Sequence, residues 1–156
     1  MRHQWMLGAV AACLAAPAAA EITPTEVRFD NGAVAQSLTG VPGDPAAGAK
    51  LLSSRADANC VACHMIAAQP DVAFQGDVGP ALDDVASRYS EAQLRGIVAN
   101  SKLTFAGSVM PSFYKVGGHV RPGDGFTGNP APADLGPILS AQQVEDLVAY
   151  LLTLKP

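Results

Sequence analysis

Two cysteines and a histidine stand together at Cys60-Val61-Ala62-Cys63-His64. Three chemistries use such a run: thiol–disulfide exchange, part of a zinc site, or covalent attachment of a haem. In the last, a turn of helix brings both thiols to one side, where each forms a thioether with a haem vinyl group while the adjacent imidazole is held beneath the iron. The remainder of the chain discriminates among the three. A thioredoxin-like pair needs a βαβ framework, and no strand–helix alternation is present. Zinc needs a fourth ligand, and the one other histidine beyond the first twenty residues is His119, in a glycine- and proline-rich stretch. A disulfide closing so small a loop stabilises little. One covalent haem c is therefore expected at Cys60, Cys63 and His64.

The second iron ligand follows by elimination. Met65 adjoins His64 and cannot reach the opposite haem face, whereas Met110 lies 46 residues downstream of His64 in "SVMPSF", an irregular segment held by Pro111. His119 is the alternative ligand, although a solvated loop histidine is its plainer reading. Methionine opposite histidine raises the reduction potential and fills the coordination sphere, favouring electron transfer over small-molecule binding. Gly79-Pro80 follows the histidine by fifteen residues. A metal-bound imidazole donates its other N–H to a fixed acceptor, and the Pro80 carbonyl suits that role. The expected cofactor-binding set is Cys60, Cys63, His64, Pro80 and Met110, with His64 and Met110 on the metal. No catalytic residue is expected, because attachment consumes both thiols and no acid–base constellation accompanies them.

Helices must position these groups. Asp44-Pro45 reads as an N-cap with proline at the first helical position, opening a helix through "AAGAKLLSSR" that ends just before Cys60. Ser90 with Gln93 and Ser140 with Gln143 form capping boxes that open "EAQLRGIVA" and "AQQVEDLVAYLLTL". In the last helix Val144, Leu147, Val148 and Leu151 make a continuous apolar stripe, for which core packing is a sufficient account. Gly48 in the first helix and Tyr150 in the last predict a close helix crossing. Residues 21–44 carry β-prone pieces around "EVRFDNGAV" with a turn at Asn31-Gly32. Since an isolated hairpin is marginal, that arm must lie on the domain or on a partner. Between Gly117 and Pro137, 10 of 21 residues are glycine or proline, a length of loop that is usually functional or poorly ordered. The pattern is a small all-α domain with long loops.

The first twenty residues have a basic start, an apolar middle and an Ala18-x-Ala20 end, the pattern of a secretory signal peptide, so the mature chain is expected to begin at Glu21 and to lie outside the cytoplasm. Cys13 departs with it, the nearby lipoprotein-like site being the weaker reading. The organisation expected is signal peptide 1–20, N-terminal extension 21–44 and one domain over 45–156. Beyond residue 20, 9 basic residues face 14 acidic ones. That balance argues against nucleic acid and anionic membranes and suits docking on a basic protein patch. No segment is long enough to span a bilayer.

The order of Gly48, "CVACH", "GPAL", "VMPSF" and Tyr150 resembles that of class I cytochromes c over residues 45–156. The resemblance implies an all-α fold around one haem with His64 and Met110 as axial ligands. Many members place a tryptophan against a haem propionate; this chain has none after residue 5, and Tyr89, Arg88 or Tyr114 are the candidates to replace it. A narrower resemblance, through "LTGVPGDPAAGAKLLSSRADANCVACHMI", "QGDVGPAL", "MPSFYKV" and "PILSAQQVEDLVAYLLTLK", is to the SoxX family, the small monohaem subunits of thiosulfate-oxidising Sox cytochromes. It implies a periplasmic heterodimer with the larger haem subunit SoxA, the complex acting as an L-cysteine S-thiosulfotransferase on the carrier SoxYZ. The substrate chemistry would then take place at the partner's haem. This chain would supply electron transfer, passing electrons to a soluble cytochrome c. The competing readings are a free periplasmic electron shuttle and a gas-binding haem sensor, the latter opposed by Met110.

Overall fold

In the computed structural model, residues 20–120, 122 and 127–156 are described; the expected signal peptide up to residue 19 and part of the 117–137 loop lie outside them. Among the described residues four α-helices carry the fold: α1 (Pro45–Ser53), α2 (Val85–Arg88), α3 (Glu91–Asn100) and α4 (Ala141–Leu151). Among the described residues there is no strand, as the all-α expectation requires.

Local chemistry sets the helix ends. The Asp44 carboxylate accepts from the Ala46 N–H at 2.8 Å with Pro45 at the first position, and the capping boxes at Ser90/Gln93 and Ser140/Gln143 are both closed. Helix α1 stops at Ser53, earlier than the sequence suggests. The Ser54 hydroxyl donates to the Asp57 carboxylate at 2.6 Å, and the Ser54 carbonyl accepts from the Asn59 N–H at 2.9 Å, so a side-chain-supported turn replaces the last helical turn.

The core sits where α1 and α4 cross, with α3 against α4. Leu52, Leu94, Leu139, Val144, Leu147 and Val148 are almost fully buried, and each such leucine contributes on the order of 2 kcal/mol. The crossing is as close as Gly48 and Tyr150 predicted. A Cβ on Gly48 would stand 2.0 Å from the Asp146 carbonyl oxygen and 2.8 Å from the Tyr150 Cβ, so no larger residue fits without separating the helices.

The arm over residues 21–44 lies on this helical frame. Asn31 and Gly32, at φ +48° and +82°, close a tight turn in which Asp30 and Ala33 exchange hydrogen bonds of 2.8 and 2.9 Å. The hairpin goes no further than this bridge, because the next backbone groups pair elsewhere: the Val34 N–H donates to the Ala92 carbonyl at 2.8 Å.

A buried ion pair fastens the arm. Arg95, 2% exposed, donates to both Glu145 oxygens at 2.8 and 3.0 Å and to the Val34 carbonyl at 3.0 Å, while Glu145 also accepts from the Leu38 N–H at 2.7 Å. Burial opposes the Arg95 charge, but hydrogen bonding and attraction from Glu145, then from Glu91, overcome it and raise its pKa. Removing one member leaves a charge uncompensated in the core. Glu145→Gln is expected to cost about 3 kcal/mol in thermal unfolding of the holoprotein. Glu91→Gln, at an exposed position on the same guanidinium, should cost less than about 1 kcal/mol.

Candidate haem site

Cys60–Ala62 forms a single 3-10 turn entered through Asn59 at φ +46°, a left-handed conformation that asparagine tolerates. The turn closes when the N–H groups of Cys63 and His64 both donate to the Cys60 carbonyl, at 3.1 and 3.0 Å. Both thiols are free and half-buried. Burial pushes the Cys60 thiol up to about 12, with the Cys63 charge acting in the same direction. Among the described residues, no three histidine, cysteine or acidic side chains are grouped to hold a metal ion. His119 lies elsewhere, in a loop recess with Lys115, Val120 and Leu135.

His64 is held from two sides. Its Nδ1 lies 2.7 Å from the Pro80 carbonyl oxygen. That oxygen can only accept, so Nδ1 carries the proton and Nε2 keeps its lone pair. The ring also rests on Gly79, where a Cβ would meet Cε1 at 2.3 Å, and the Gly79 N–H donates to the Cys63 carbonyl at 2.7 Å. Two thiols on one turn beside an imidazole with a defined tautomer are the donor set a covalent haem requires. The residues fit the group.

The Met110 segment is laid on the C-terminal end of α3. Its carbonyl accepts from the Ser101 hydroxyl at 3.0 Å and from the Lys102 ammonium, and the N–H groups of Phe113 and Tyr114 donate to the Val98 and Ala99 carbonyls at 3.3 and 3.1 Å. The Ser112 hydroxyl donates to the Asn100 side chain at 2.8 Å. Half-buried, Met110 packs against the same apolar cluster as Cys60. Ser101, Lys102 and Asn100 carried no mark in the sequence as supports of this segment, since nothing local to them announces which backbone they meet.

Gln75 was missed for the same reason. Its side-chain oxygen accepts from the Ile66 N–H at 2.6 Å and its amide donates to the Gln69 carbonyl at 2.8 Å, filling the loop between His64 and Pro80.

Of the three residues considered as propionate partners, Tyr114 is committed elsewhere. Its hydroxyl donates to the Ile22 carbonyl at 2.7 Å and stands 3.3 Å from the Glu21 carboxylate. Tyr89 meets Phe105 edge to face, and Arg88 pairs with Asp84 at 3.0 Å. Burial, reinforced by Glu21, pushes the Tyr114 phenol up to about 12. A phenol whose folded pKa exceeds its unfolded value of about 10 stabilises the fold below that pH and loses the contribution as pH rises toward the folded value. Urea unfolding between pH 9 and 12 should therefore show a steeper alkaline loss of stability in the native protein than in Tyr114→Phe.

The cytochrome c family matches residues 45–155, and the chain belongs to it; covalently bound haem c is that family's cofactor. More narrowly it belongs with SoxX: a chain of the crystal structure of SoxXA from P. pantotrophus is 56% identical, with a TM-score of 0.84 over 88% of this chain and 100% of that one. Among curated protein sequences none matches.

Proposed function

We propose that this chain is the electron-transfer subunit of a periplasmic thiosulfate-oxidising complex, paired with a larger haem subunit of the SoxA kind. The observation that carries the reading is the 56% identity to a chain of SoxXA over the whole of that chain, joined to two cysteines and a histidine on and beside one turn. Bound haem c would supply one-electron chemistry. Cys60 and Cys63 would hold it covalently, and His64, its proton fixed on Nδ1 by the Pro80 carbonyl, would offer Nε2 to the iron. Met110, anchored through its carbonyl by Ser101 and Lys102, would supply the second protein ligand. Oxidative conjugation of thiosulfate to a cysteine of the carrier SoxYZ would take place on the partner, and electrons would leave for a soluble cytochrome c. The signal sequence expected over residues 1–20 supports export, and among the described residues no helix is long and apolar enough to cross a membrane.

Native purification from cells grown on thiosulfate tests the reading. Co-elution with a second, larger haem protein that conjugates thiosulfate to its carrier is expected; recovery as a lone monohaem monomer would favour a free electron shuttle.

A further inference from the structure

The charge of this chain is unevenly spread. Between Arg55 and Arg88, 32 residues hold five carboxylates, Asp57, Asp71, Asp77, Asp83 and Asp84, and no lysine or arginine; the rest of the chain beyond residue 20 is balanced at nine of each sign. Within that acidic stretch three large apolar side chains are more than half exposed: Phe74 at 88%, Val78 at 70% and Met65 at 52%.

Phe74 is not simply loose. Its φ is +60°, a region that bulky side chains rarely adopt. The neighbouring Gln75 side chain is bonded inward to Ile66 and Gln69, which fixes the loop and leaves the phenyl ring projecting. The loop also runs directly along the attachment turn, the Gly76 and Gly79 N–H groups donating to the Val61 and Cys63 carbonyls at 2.8 and 2.7 Å. With haem c attached at Cys60 and Cys63, this loop would lie beside the cofactor.

We propose that Phe74, Val78 and Met65, rimmed by Asp71 and Asp77, form the docking surface for a small soluble redox protein whose own cofactor edge is ringed by lysines. The inference rests on the electron-transfer reading and names the partner chemistry for it. Charge complementarity selects that occupant. Obligate subunit interfaces deplete charge at their core, whereas an acidic rim around a small apolar anchor suits a transient complex steered by opposite charge.

The test is calorimetric titration of the holoprotein, within its heterodimer, against a strongly basic cytochrome c, both proteins oxidised, at low and at physiological ionic strength. Binding by the native protein should weaken as salt rises. Asp71→Asn with Asp77→Asn should weaken binding about tenfold at low salt and flatten the salt dependence. Phe74→Asn, which suits a positive φ, should weaken binding about tenfold at both ionic strengths and leave the salt dependence intact. Unchanged affinity in these variants would overturn the proposal, as would dissociation of the heterodimer, which would make this surface the subunit interface. Failure of the bound partner to accept an electron, with affinities behaving as stated, would count against the electron-transfer reading and leave the docking surface standing.

Discussion

Replacing Met110 with alanine is expected to lower the reduction potential by on the order of a few tenths of a volt while leaving the haem covalently attached. Axial ligands set haem potentials over a span of roughly 0.8 V, and methionine opposite histidine lies toward its upper part. The segment around Met110 is held by its backbone, through the Ser101 hydroxyl on its carbonyl and the Phe113 and Tyr114 N–H groups on α3. None of these bonds uses the thioether, so the alanine variant should fold as the native protein does. Potentiometric titration supplies the number, and the reduced variant should also bind carbon monoxide rapidly where the native protein does not. An unchanged potential would remove Met110 from the iron.

The largest effect on composition belongs to the cysteines. Cys60→Ala together with Cys63→Ala should abolish covalent haem, read as loss of haem staining after denaturing electrophoresis. His64 stays supported by Gly79 and Pro80 in that variant, so haem added to the folded protein should bind reversibly and be extracted by acidified organic solvent. A full covalent complement in the double variant would refute the attachment assignment.

These two sites differ in how openly the sequence declared them. Cys60, Cys63 and His64 are contiguous and their chemistry depends on that contiguity, so the motif could be read directly. Gly48 was legible because only a missing side chain admits Tyr150 and the Asp146 carbonyl so closely. Arg95 and Glu145 were not: they lie fifty residues apart, each on a helix whose pattern explains itself without the other, and only the folded chain brings them onto the arm at Val34 and Leu38. Gln75 escaped notice because a glutamine in a loop is ordinary until its amide is found bonded to Ile66 and Gln69. The early end of α1 belongs to the same class, decided by Ser54 and Asp57 against a run that otherwise favours continuation. What proved hard to read was the set of side chains whose partners fall outside any recognised local motif, since only the folded chain shows which groups they meet.

The account stands or falls on whether electrons released at the partner pass through this chain. Rapid mixing of the assembled, oxidised complex with thiosulfate and carrier whose cysteine is a free thiol, followed by visible spectroscopy in the α-band of the haem on this chain, tests this most directly. The prediction is that this haem becomes reduced as fast as thiosulfate is conjugated, and that conjugation slows in the Met110→Ala complex, whose lower potential makes it a poorer acceptor. Conjugation proceeding at the full rate in the native complex while this haem stays oxidised would contradict it.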